Sequence, residues 1–251
     1  LRRNLPVRKS TARMTEDSLK TGLCASFRQR TSVLHSKAER SGIIHEMLHG
    51  RVTREGYALL LRNLLPAYRQ MEVELERLRH IPAFQGLAHR AVYRAGAIEV
   101  SLSALYGRSW ADALPLLPAG QRYAHRIETV ARGGGSRLIA HVYTRYLGDL
   151  NGGQILKRLL SQSLGLGLEA LSFFDFPEIA DMVQFKTDYR NAIDLSAREI
   201  AHIGPVVEEA ATAFDLNIQV SEAVHQALRP GNGVFEANGT DAHHRKAFGA
   251  A

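Results

Sequence analysis

Tyr143-Thr144-Arg145-Tyr146-Leu147-Gly148-Asp149-Leu150-Asn151-Gly152-Gly153-Gln154 carries three glycines within six residues. Around it Ile139, Val142, Tyr143, Tyr146, Leu147 and Leu150 recur at helical spacing, and the pattern continues through Ile155, Leu156, Leu159 and Leu160. Ser136, after the Gly133-Gly134-Gly135 break, suits a helix N-cap, so the dodecamer is expected inside a helix. Glycine in a helix interior costs about 1 kcal/mol relative to alanine, so about 3 kcal/mol has been given up here. Gly148 and Gly152 are four apart and Gly153 is adjacent, which bares one stripe of backbone to a flat partner. Close helix packing would use the same stripe. Asp149 beside it suits an ordered water network better than a dry helix contact.

Composition narrows the class. The 251 residues are 45% hydrophobic, enough for one sizeable core, and one cysteine, Cys24, leaves no internal disulfide or cysteine-based zinc cluster. Arg2, Arg3, Arg8, Lys9 and Arg13 carry five of the seven excess positive charges, so the basicity is mainly a tail and nucleic-acid binding is not expected. Met14 is a plausible start, residues 1–14 and 229–251 read as disordered tails, and 15–228 as a single domain. No apolar run reaches transmembrane length and no membrane anchor is apparent; a soluble, cytoplasmic protein is expected.

The rest of the chain reads as helices. The first is expected over 15–37, capped by Thr15, with Arg28 and His35 seven apart on one side. Glu39, four residues after His35, can accept a proton from one ring nitrogen, fix the tautomer and free the other nitrogen for a metal. A long helix is expected over 53–79, kinked at Pro66, with Tyr68 inward and Glu72 and Glu76 on a solvated face. Further helices are expected near 92–106, up to Arg132, from about Glu178 and over 197–228. Lys186 and Arg190, four apart, share one face and can hold two carboxylates.

Two metal patterns compete. His45-Glu46-Met47-Leu48-His49 has the spacing of a zinc protease helix, but Gly50 ends the run at once and Val52 stands where the longer pattern has glycine. Glu46-x-x-His49 and Glu199-x-x-His202, with Glu72 and Glu99, match the ligand set of a di-iron four-helix bundle, a reading in which the glycine stripe has no role.

The dodecamer resembles the signature of the heme oxygenases, with Asn151 in a place often held by serine. His35-Ser36-Lys37-Ala38-Glu39 resembles that family's proximal helix, Phe185–Arg190 its propionate-binding helix and Ala213–Ile218 its closing element. The resemblance runs from Arg28 to Asn217 and implies an all-α, single-domain fold with heme between a proximal and a kinked distal helix. It implies opening of heme to biliverdin, carbon monoxide and ferrous iron, using O2 and electrons from a donor such as ferredoxin or a flavoprotein reductase. On that resemblance His35 is the axial iron ligand, oriented by Glu39. Arg28, where the family usually has lysine, joins Lys186 and Arg190 at the heme propionates. Asp149 holds the proton-delivering water, supported by Tyr68 and Arg145. Tyr143, Thr144, Gly148, Gly152, Gly153 and Phe214 line the heme. A module that stores or senses heme would need His35 and the basic residues but not the Asp149 network.

Overall fold

The computed structural model describes residues 22–230, which are all-helical with no strand among them. In chain order the helices are α1 (Leu23–Glu39), α2 (Gly42–Leu48), α3 (Arg54–Leu78), α4 (Ala95–Tyr106), the single turn α5 (Trp110–Ala113), α6 (Pro118–Ala131) and α7 (Leu138–Val142). A π-helical turn (Tyr143–Leu147) leads to α8 (Gly148–Asn151), α9 (Gly153–Leu164), α10 (Met182–Ser196) and α11 (Ile203–Ala227). No helix among the described residues is long and apolar enough to cross a membrane. Of the tails expected at 1–14 and 229–251, residues 1–14 and 231–251 lie outside the described residues.

α3 is the central column. Thr53 caps it by accepting from the Gly56 N–H at 3.0 Å, and Tyr57, Leu60, Leu61, Leu64, Leu65 and Tyr68 are all buried, as their spacing requires. Pro66 lies inside α3 without ending it. α4 and α6 pack on α3, while α1 packs on α11. Glu72 is not on a solvated face as expected: its carboxylate accepts from the Arg94 and Ala95 N–H groups at 2.5 and 2.9 Å, supplying from α3 the cap that α4 lacks.

Several boundaries differ from the sequence expectation for local reasons. Among the described residues α1 begins at Leu23, and Thr15 lies outside them. Its entry is held by Asp194 of α10, which accepts from the Cys24 N–H at 2.7 Å. Ser136 does not cap the distal segment. Arg137 is the flanking residue, and the Ser136 carbonyl accepts from Ile139. α10 starts at Met182, not near Glu178, because the Asp181 carboxylate accepts from the Val183 and Gln184 N–H groups at 2.9 Å. α11 starts at Ile203; the expected stretch from 197 is a 3-10 turn, Ala197–Glu199, followed by extended backbone at Ile200. At the other end of the distal run, Gly165 takes a left-handed φ of 61° and stops α9.

The crossing of α3 and α6 depends on Gly120. A Cβ there would stand 2.6 Å from the Asn63 carbonyl, on a backbone that cannot step aside. Asn63 is fully buried, with its amide donating to the Leu59 and Pro115 carbonyls and accepting from the Leu117 N–H. Gly120→Ala should therefore destabilise the protein by about 1–3 kcal/mol despite alanine's better helix propensity. Chemical denaturation checks this, and a gain in stability would contradict the close crossing.

Candidate functional site

A slot opens between α1 and the segment α7–α9. Its inner part is a cavity of about 190 Å³ whose lining includes His35, Arg145, Gly148, Asp149, Gly152 and Phe214. Its mouth, of about 550 Å³, shares His35, Gly148, Gly152 and Phe214 and adds Arg28, Tyr143 and Arg190. Thr144 lines both parts and donates its hydroxyl to the Ala140 carbonyl. The structure thus brings the α1 residues and the glycine segment to one space. Lys186 is half-buried on α10 and is not part of the lining of either.

The glycines divide in two. A Cβ on Gly148 would meet nothing within 4 Å, and one on Gly152 only the Gly148 carbonyl at 3.5 Å, so both face open slot. A Cβ on Gly153 would stand 3.2 Å from the Phe174 ring, so this glycine serves close packing as well as bordering the cavity. The run is not one regular helix. A π turn at Tyr143–Leu147 and a break between α8 and α9 at Gly152 interrupt it where it passes the slot.

Across the slot, His35 Nδ1 stands 3.5 Å from Glu39 Oε1, and both side chains are more than half exposed. Phe214 flanks the imidazole, ring centroids 5.9 Å apart. The second ring nitrogen, Nε2, is left for a ligand.

Behind Gly148 lies a buried polar network. The Tyr68 hydroxyl donates to Asp149 Oδ2 at 2.5 Å and accepts from Arg145 Nε and Nη2 at 2.8 and 2.5 Å. Arg145 Nη2 also donates to Asp149 Oδ1 at 3.1 Å, and Nη1 to Asn217 Oδ1 at 2.6 Å. Asn217 in turn donates to the Tyr123 hydroxyl and the Ala213 carbonyl. Burial pushes the Asp149 carboxyl above its usual value even with Arg145 opposing. Burial likewise pushes the Tyr68 phenol well up, and although burial works against its charge, Arg145 is held above its ordinary value by Tyr68 and Asp149. Asp149 is therefore a buried carboxyl at the cavity wall, shifted upward by burial and held in place by Tyr68 and Arg145. Such a group can exchange a proton with whatever water the cavity holds.

Asn217 and Tyr123 were missed as site residues, although Asn217 lies within the matched stretch Ala213–Ile218. A second missed cluster, on the far side of α7, left no signal in the sequence. His141 is fully buried with Nε2 3.0 Å from Glu209 Oε1, and Arg126 makes two hydrogen bonds to the same carboxylate, at 2.9 and 2.5 Å.

The metal alternatives do not assemble. Glu46 pairs with Arg51 at 2.9 Å, Glu99 with Arg69 at 2.7 Å, and Glu72 caps α4. Glu199 and His202 lie on the irregular stretch before α11. Among the described residues no group of three or more His, Cys, Asp or Glu is placed to hold a metal.

A family model described as heme oxygenase matches residues 21–223. The chain belongs to the heme oxygenase family. Its reaction is the family's, the degradation of heme to biliverdin by an oxidoreductase. Human heme oxygenase 1 is 38% identical over 215 residues, covering 84% of this chain and 75% of that protein. Heme oxygenase 1 of Synechocystis sp. is 32% identical over 220 residues, covering 88% and 92%. The crystal structure of the Synechocystis heme oxygenase-1 in complex with heme superposes with a TM-score of 0.77 at 31% identity, covering 86% of this chain and 98% of that one.

His141 and Glu209 give the fold of this heme oxygenase an acid limit. Burial holds His141 below its ordinary value of 6.5. Although burial disfavours the Glu209 charge, hydrogen bonds from His141 and Arg126 hold that carboxyl below 4.5. Both folded values are depressed, so each group contributes stability above its unfolded pKa that is lost as the pH falls through the folded one. Stability should decline as the pH drops below about 6.5, the unfolded histidine value, and His141→Gln should flatten that first part of the decline. Denaturation midpoints across pH check this, and an unchanged slope in the variant would contradict it.

Proposed function

We propose that the slot between α1 and α7–α9 is where heme is bound and opened to biliverdin, carbon monoxide and ferrous iron, and that Nε2 of His35 would hold the iron. O2 and electrons come from outside the chain, the electrons from a donor such as ferredoxin or a flavoprotein reductase, and the setting is cytoplasmic. The observation that carries the assignment is the pair Gly148 and Gly152, bare of side chains, facing the slot across from His35 with Asp149 at the same wall. The slot fits heme: a ring with an iron at its centre and two carboxylates at its edge meets bare backbone, an imidazole and two arginines.

Bound heme supplies both the ring to be opened and the iron at which O2 reacts. The protein supplies geometry and protons. Glu39 fixes the His35 tautomer through Nδ1, so that the neutral imidazole presents Nε2. Gly148 and Gly152 admit the ring plane close to backbone, leaving little room on the distal side and so favouring one approach over others. Asp149, locked by Tyr68 and Arg145, holds a water and moves its proton toward the reacting face. Arg28 and Arg190 at the mouth pair with the propionate carboxylates beside Tyr143, and Phe214 packs near His35. Lys186, four residues before Arg190 on α10, adds positive charge to the same edge. Gly153 acts by letting Phe174 close on the helix. A storage module would need no buried carboxylate network of this kind.

Two variants test the assignment. Gly148 has helical backbone angles, φ −62° and ψ −48°, so Gly148→Ala should stabilise the heme-free protein by about 0.5–1 kcal/mol. The same methyl group enters the slot, so heme affinity or turnover should fall at least about fivefold, from the roughly 1–3 kcal/mol cost of overpacking. Denaturation of the heme-free protein and heme titration check the two halves. Unchanged heme affinity and turnover would place the ring elsewhere. Asp149→Ala should retain heme binding and lose biliverdin formation; a normal biliverdin yield would remove the proton-handling role.

A further inference from the structure

A column of tyrosines runs from the pocket to the surface. Tyr68 donates to Asp149 at the cavity wall. Tyr146, on the π turn, stands 6.2 Å from Tyr68 between ring centroids and 6.3 Å from Tyr93, with which it is nearly stacked at 26°. Tyr93 is half-buried and donates its hydroxyl to Glu76 Oε1 at 3.1 Å. A branch leads from Tyr146 to Tyr189 at 6.4 Å, whose hydroxyl donates to the Leu87 carbonyl at 2.9 Å.

The Tyr146 hydroxyl is the unexplained atom. It is fully buried and has no hydrogen-bond partner among the described residues. Phenylalanine would fill the same space without the cost of an unpaired polar group, so packing alone gives the hydroxyl no purpose. A phenol differs from a benzene ring in giving up an electron far more readily. The proposed heme chemistry uses Tyr68 only as a hydrogen-bond holder and leaves Tyr146 and Tyr93 without a part.

We propose that Tyr68, Tyr146 and Tyr93 form a relay that carries one-electron oxidising equivalents out of the heme pocket when peroxide reacts there without ring opening, ending on Tyr93. The inference rests on the heme-pocket reading. In each event Tyr93 loses one electron inward through Tyr146 and Tyr68, and its phenolic proton passes to Glu76, leaving a neutral tyrosyl radical. Hydrogen peroxide is the oxidant: one electron from Tyr93 and one from the bound heme, with two protons from solvent, reduce one peroxide to two waters, while the Tyr93 proton stays on Glu76.

The surroundings set the direction. Positive charge on Tyr68 is opposed by the Arg145 guanidinium, which touches its hydroxyl. Tyr93 instead faces the carboxylates of Glu76 and Glu72. Glu76 is also paired with Arg79 and Arg90, so the bias comes mainly from the contrast with Arg145 at the inner end. The Tyr189 branch ends at a carbonyl, which cannot take the phenolic proton as a carboxylate can, so Tyr93 is the exit.

The test uses the full chain loaded with heme, stoichiometric hydrogen peroxide, no electron donor, and a nitroso spin trap whose adducts are mapped by peptide mass spectrometry. The wild type should be labelled on Tyr93 only when heme is present. Tyr146→Phe, which removes an unpartnered hydroxyl and should leave folding intact, should lower Tyr93 labelling at least tenfold and shift it to Tyr68 or other pocket residues. Glu76→Gln should also lower it. Undiminished Tyr93 labelling in Tyr146→Phe, or heme-loaded wild type with no label on Tyr93, would overturn the relay. Failure to take up heme in the preceding titration would instead overturn the pocket reading, so the two failures are distinguishable.

Discussion

The short hydrogen bond from Tyr68 to Asp149, braced by Arg145, is the contact on which the site depends. It joins the central helix α3 to the distal segment at the point where that segment has no side chains with which to hold itself. A buried carboxyl, phenol and guanidinium are each costly alone, and the arrangement is tolerable because each satisfies the others. Asn217 extends the network to α11, the helix that also packs against α1. The two walls of the slot are thereby referred to one another through α3 and α11, and the position of His35 relative to Gly148 is a property of the whole bundle.

The distal segment trades helix stability for access. Gly148 and Gly152 give up side-chain contacts and favourable propensity, and the π turn spoils regular hydrogen bonding, all within ten residues. Flanking contacts offset this. Gly153 lets Phe174 pack against the helix, Gln154 donates to the Phe174 carbonyl, and His141 anchors the preceding turn to Glu209.

Much of this was legible in the sequence because it is local. The His35 and Glu39 spacing, the glycine stripe and the apolar face of α3 all follow from helical periodicity, and the structure places them as that periodicity requires. The long-range interactions were not legible. Glu72 looked like a surface glutamate because nothing in its own neighbourhood reveals that α4 arrives to be capped by it. His141 and Glu209 are 68 residues apart and meet only through tertiary packing. Ser136 has the right chemistry for a cap but the chain turns one residue later. Lys186 shares a helix with Arg190, yet helical spacing does not say which of the two reaches the slot.

The central claim is that the slot binds heme through His35 and opens it. An aerobic heme titration, followed by reductant with the visible spectrum recorded, tests it most directly. The account predicts a Soret band of histidine-ligated heme that decays as the far-red band of biliverdin grows. A Soret band that persists through reduction in air, or no Soret band at all, would contradict it.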